Sequence, residues 1–105
     1  MTDAIAVFMT AGNRDEALRI AEVLVEKKLA ACVQVLPQMD SVFRWQGKIE
    51  RQNEVLLIAK TVSTKFAALE KAVRANHSYE MPEIVAVPIT EGSRPYLEWL
   101  SDNVS

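Results

Sequence analysis

Ala30-Ala31-Cys32-Val33-Gln34-Val35-Leu36-Pro37-Gln38 reads as an extended segment that resumes after Pro37 as Ser41-Val42-Phe43-Arg44-Trp45. Past the turn Gln46-Gly47 the chain returns through Lys48-Ile49-Glu50 to Val55-Leu56-Leu57-Ile58-Ala59-Lys60. Glycine supplies the positive φ that a tight hairpin turn demands. The hairpin thus runs from about Ala30 to Thr61, and its arms are long. An arm of ~13 residues spans roughly 43 Å at ~3.3 Å per residue, whereas a domain of ~100 residues has a radius of gyration near ~13 Å. One end of the hairpin must overhang. An overhang that carries Phe43, Trp45 and Ile49 offers apolar side chains and free strand edges, which invite another chain. Closed symmetric assembly satisfies both, although the residues alone do not choose two copies over three.

Upstream, residues 4 to 10 form an apolar first strand, and Asn13 with Glu16 three positions on gives a capping-box-like start to a helix over about Asp15 to Lys28. Ala17, Leu18, Ala21, Leu24 and Val25 recur at helical spacing on that helix. Downstream, Ser63 or Thr64 is placed to cap a second helix with Phe66, Leu69 and Val73 on one side and a Glu70 to Arg74 pair on the other. Glu83 to Ile89 reads as a fourth strand, and Ser93 precedes a short last helix with Tyr96, Leu97, Trp99 and Leu100. The order βαββαβ plus a C-terminal helix is an α+β, ferredoxin-like split βαβ fold with an extended hairpin between the second and third strands.

The 105 residues suit one domain, 1–105, with one modest core. The 12 Lys and Arg are scattered among 14 Asp and Glu for a net charge of -2, so the basic footprint of a nucleic-acid binder is missing. No apolar run approaches the ~20 residues of a membrane span, and Asp3 stands where a signal peptide carries Lys or Arg. With Cys32 the one cysteine, no internal disulfide forms, and a cytoplasmic location is expected.

His77, the one histidine, lies in His77-Ser78-Tyr79-Glu80-Met81-Pro82-Glu83 between helix and strand. It is either a metal ligand beside Glu80 or a helix-ending residue bonded to the last carbonyls, with Tyr79 anchoring the loop; a single His favours the second. Cys32, in a run of small apolar residues, reads first as a buried hydrophobe and second as a soft ligand for copper. Met9 divides the same way between core filler and Cu(I) ligand. Trp45, Lys48, Glu50 and Glu54 gather at the hairpin tip and return strand, as a solvated face with an interface anchor or as a ligand cleft. Lys60 is placed to reach an anionic ligand. No glycine-rich phosphate loop, CxxC, HExxH or GxSxG occurs, so catalysis is not indicated.

Taken in order, Glu26-Lys27-Lys28-Leu29-Ala30-Ala31-Cys32-Val33, Ser41 to Glu50, Ile58-Ala59-Lys60-Thr61, His77 to Ile84 and Tyr96-Leu97-Glu98-Trp99 resemble the CutA divalent-cation-tolerance family over essentially the whole chain. The resemblance implies a tight homotrimer with each hairpin extended onto a neighbour, and an architecture similar to nitrogen-regulatory PII proteins. It also implies a cytoplasmic, non-enzymatic metal-binding protein associated with copper tolerance. The expected metal residues are His77, Met9 and Cys32. The alternative is a PII-like regulator that takes a small anionic ligand or a partner protein in intersubunit clefts built from Trp45, Lys48, Glu54, Lys60, Tyr79 and Glu80. Two departures bear on this. The family's His-Pro-Tyr reads His77-Ser78-Tyr79, which loosens a turn that proline would fix. The family's copper positions read Met9, Asn76 and His77, which leaves one strong ligand or a shift toward Cu(I).

Overall fold

A computed structural model describes residues 2–105. The elements are β1 (Ala4–Ala11), α1 (Arg14–Glu26), β2 (Cys32–Trp45), β3 (Lys48–Val62), a 3-10 turn (Ser63–Lys65), α2 (Phe66–Asn76), β4 (Ile84–Pro88) and α3 (Arg94–Asp102). The sheet order is β2-β3-β1-β4 with every neighbouring pair antiparallel, which is the split βαβ arrangement expected.

Strand alternation sorts the sheet into two faces. Val7, Met9, Ala11, Val55, Leu57 and Ala59 point to α1 and α2 and form the main core with Ile20, Leu24, Leu69 and Val73. The opposite face is open over most of its area. Only its end is covered, where Leu100 and Val104 of the α3 segment pack on Ala4, Ala31 and Val62. The hairpin overhangs as its length requires: the molecule measures 44 × 25 × 23 Å, and residues 43–53 are all exposed.

One irregularity decides what the overhang presents. Leu36 pairs with Leu56 but Met39 pairs with Glu54, so Pro37 and Gln38 together oppose Val55 as a β-bulge, with Gln38 at φ 55. Beyond the bulge, Phe43 and Trp45 share the open face with Glu50, Gln52 and Glu54, whereas Ile49, paired with Arg44, lies on the other side. The apolar tip is therefore split between two faces, not gathered on one.

Several local expectations are corrected. Helix α1 ends at Glu26 because Lys28 turns left-handed at φ 58, and the amides of Leu29 and Ala30 both return to the Leu24 carbonyl. The Asn13 side chain accepts from the Glu16 amide at 2.8 Å, but the Glu16 carboxylate does not close a capping box; it reaches across to residue 78. Neither Ser63 nor Thr64 caps α2, since the 3-10 turn intervenes. Ser93 occupies the N-cap position of α3 without a side-chain bond, and Glu70 with Arg74 makes no ion pair among the described residues.

Thr61 is fully buried and its hydroxyl has no hydrogen-bond partner among the described residues. Thr61→Val, nearly isosteric, removes that unsatisfied group. The expected result is a gain of about 1 kcal/mol in urea unfolding; a loss of similar size would mean the hydroxyl is satisfied.

Candidate functional site

The loop that follows α2 is tied to both layers of the fold by His77, Ser78 and Tyr79. The His77 ring is inside, with its side chain 1% exposed. Its Nε2 lies 2.6 Å from the Thr10 carbonyl oxygen, which can only accept, so Nε2 carries the proton. Its Nδ1 then accepts the Tyr79 amide at 3.0 Å. Both nitrogens are engaged, and a metal would gain a lone pair only by breaking one of these bonds. Of the two readings of His77, the structural one describes its position, although its partners are Thr10 and Tyr79 and not the last helical carbonyls.

Ser78 is held by Glu16. The carboxylate accepts from the Ser78 amide at 2.7 Å and from its hydroxyl at 3.0 Å, and stands 3.5 Å from His77 Nδ1. The turn that proline would have fixed is thus fixed by two hydrogen bonds, one of them through an N–H that proline lacks. Glu16 falls on the buried stripe with Ile20 and Leu24, four and eight residues on. That inward placement was the available signal for its role, which the reading as a cap passed over.

Tyr79 completes the set. Its hydroxyl donates to Glu54 Oε2 at 2.9 Å and accepts from Gln52 Nε2 at 2.8 Å, which joins the loop to β3. Gly12 makes room for it: a Cβ there would lie 3.3 Å from the Tyr79 hydroxyl oxygen. Burial first, and then the hydrogen bond and negative charge of Glu54, push the Tyr79 phenol up to about 12, with Gln52 opposing. The folded state thus holds the phenolic proton more tightly than the unfolded chain does. The stability this adds is present below pH ~10 and is lost as the pH rises toward ~12. Unfolding followed against pH should show a fall across that window, and Tyr79→Phe should flatten it.

Above this platform lies a cleft of ≈ 670 Å³ between the distal hairpin and the loop. Phe43, Trp45 and Tyr79 give it aromatic walls, and Glu50, Glu54, Glu80 and Glu83 give it four carboxylates. No Lys or Arg lines it, and none of the four makes an ion pair among the described residues. Glu54 is 8% exposed, and its second oxygen, Oε1, takes no hydrogen bond among those residues.

Trp45, Glu54, Tyr79 and Glu80 of the expected cleft are therefore brought together, while Lys48 and Lys60 are not in the lining. Lys60 stands at the far end of β3 and donates to Gln34 Oε1. The expected metal residues are separated. Met9 is 1% exposed within the core, His77 lies under the loop, and Cys32, half-buried opposite Lys60, has Tyr96 Oη as its neighbour at 3.9 Å. Among the described residues no group of three His, Cys, Asp or Glu side chains is arranged to hold a metal ion. Glu16, Gln52, Thr10 and Glu83 are the participants that the sequence did not single out.

Residues 5–103 match the family model of the CutA1 divalent ion tolerance protein. The chain belongs to this family. It is 48% identical over 99 residues to the protein CutA homolog of Xenopus laevis, covering 94% of this chain and 66% of that protein. It is 46% identical over 97 residues to the divalent-cation tolerance protein CutA of Thermus thermophilus, covering 92% and 94%. The chloroplastic CutA of Arabidopsis thaliana is 44% identical over 100 residues, covering 95% and 55%. The chain thus spans between about half and two thirds of the plant and frog CutA proteins and nearly all of the bacterial one. The solved Thermus thermophilus structure superposes with a TM-score of 0.95 at 44% identity, covering 97% of this chain and 99% of that one. The family model and the Thermus thermophilus relative are both named for divalent-ion tolerance.

Proposed function

We propose that this CutA chain serves divalent-cation tolerance as a cytoplasmic, non-catalytic homotrimer that binds cations, copper among them, in the cleft between hairpin and loop. The observation that carries the reading is that four carboxylates line this one cleft while no Lys or Arg does. A concave site of one sign, with Glu54 buried at its base, concentrates counterions, and carboxylate oxygens accept divalent metals. His77 joins as a copper ligand only if its ring leaves Thr10 and Tyr79; Met9 and Cys32 stand too far into other surroundings to share its ion in this conformation.

Calorimetric titration with Cu(II), Cu(I) and Zn(II) tests this. Saturable binding that weakens in Glu54→Gln and survives in His77→Ala is expected. The reverse pattern would move the site to the imidazole, and binding no tighter than that of a chelating buffer would remove the metal role.

The homotrimer rests on the open face of the sheet. Leu36, Val85 and Val87 are 44%, 52% and 45% exposed there, beside the partly covered Phe8, Leu56 and Ile58. A continuous apolar sheet face of this kind is normally covered by another copy or element. Sedimentation should give three times the protomer mass of 11.7 kDa. Val85→Asp, which leaves the protomer core untouched, should shift it to one. Cytoplasmic placement is supported by the single, unpaired cysteine, and cell fractionation checks it. The rival reading, a regulator holding a small anionic ligand, draws less support, because Lys48 and Lys60 lie outside a lining that is wholly acidic in its charge.

A further inference from the structure

We propose that the cleft is a site for a linear organic polyamine, a flexible chain of ammonium groups linked by methylenes, in preference to a bare metal ion. The inference rests on the reading of the cleft as a cation site and goes beyond it by using what a metal would leave unused. A small divalent cation needs several oxygen or nitrogen ligands within one coordination shell. Among the described residues no such group of side chains converges on one point. The carboxylates are instead spread along the cleft: Glu50 and Glu54 lie four residues apart on one face of β3, about 13 Å at ~3.3 Å per residue. A triamine of about ten linked atoms at ~1.5 Å per bond covers a length of the same order. Its charges can then meet separate carboxylates.

The walls point the same way. In the single protomer Trp45 and Phe43 are 39% and 37% exposed on the side of the hairpin that faces the cleft, and the bulge at Gln38 is what sets them there. Ammonium groups are drawn to the faces of such rings, tryptophan most strongly, and methylenes gain by covering them. At the base, Glu54 is nine-tenths buried with Oε1 open to an N–H donor, while its other oxygen is fixed by Tyr79. A cleft of ≈ 670 Å³ is also large for one hydrated ion and within the range of small-molecule pockets.

The test uses the full chain. In a Trp99→Phe background Trp45 is the remaining tryptophan and reports on the cleft by its emission. Spermidine in buffer of about 0.15 M salt should give a saturable change in emission, and magnesium at equal ionic strength should not. By calorimetry, Trp45→Ala and Glu54→Gln should each weaken spermidine binding about tenfold, while Trp45→Phe should stay within about threefold. An equal response to magnesium, no saturation with spermidine, or affinity unchanged in both Trp45→Ala and Glu54→Gln overturns the proposal. Metal binding without spermidine binding refutes the polyamine and leaves the metal function standing. Spermidine binding without metal binding refutes the metal function and supports the polyamine.

Discussion

Glu16→Ala should lower the unfolding free energy by about 3 kcal/mol, because a buried carboxylate that accepts two hydrogen bonds leaves the Ser78 amide without a protein partner when removed. Against the roughly 5–15 kcal/mol of a typical domain, that is a large share. Urea unfolding at fixed protomer concentration measures it, the fixed concentration being needed because assembly raises apparent stability. Glu16→Gln keeps one acceptor oxygen and should lose about half as much. Ser78→Ala removes only the hydroxyl, and in a double-mutant cycle with Glu16→Ala the two should couple by about 1 kcal/mol. Additive losses would show that the hydroxyl bond contributes nothing and leave the amide bond alone to hold the turn. Loss of Glu16 also removes one of the negative charges that raise the Tyr79 phenol, so phenolate should appear at lower pH.

Met9→Ala should cost about 3 kcal/mol, in the range for truncating a fully buried aliphatic side chain, since Met9 sits on central strand β1 between Leu57 and Ile84 with 1% exposure. Met9→Leu conserves volume and should cost under ~1.5 kcal/mol. Copper titration should be the same for Met9→Leu as for the parent chain. A loss of copper affinity with little loss of stability would instead restore Met9 as a ligand.

The architecture was legible because it rests on period and order. Apolar runs of two kinds, two turns and one excessive hairpin length leave few topologies, and the four strands and three helices followed with shifts of a few residues at their ends. The cleft was half legible. Trp45, Glu54, Tyr79 and Glu80 stood out by type and do meet, but Lys48 and Lys60 were grouped with them by chemistry alone, and β3 carries Lys60 to the far end of the sheet. Residue type likewise joined Met9, Cys32 and His77, which tertiary structure assigns to core, strand edge and loop anchor. The bulge at Pro37 and Gln38 was the hardest feature to foresee. Strict alternation from Leu36 would put Val42 and Arg44 on the open face, whereas one extra residue puts Phe43 and Trp45 there.

The strand order also sets a sequence of events in folding. The β2–β3 hairpin joins residues close in the chain, so its loop closes at little entropic cost, and it is poised to form early. Strand β1 must wait: its partners are β3 and β4, and the pairing of Ile5 with Pro88 brings together residues near opposite ends of the chain. Until it arrives, β3, an inner strand of the finished sheet, is paired on one side only. A hairpin formed ahead of β1 would leave the apolar stretch of β3 at residues 55–59 bare along one edge, where pairing with the wrong copy competes with closure. Refolding yield should accordingly fall with protomer concentration, even though the finished assembly gains from it.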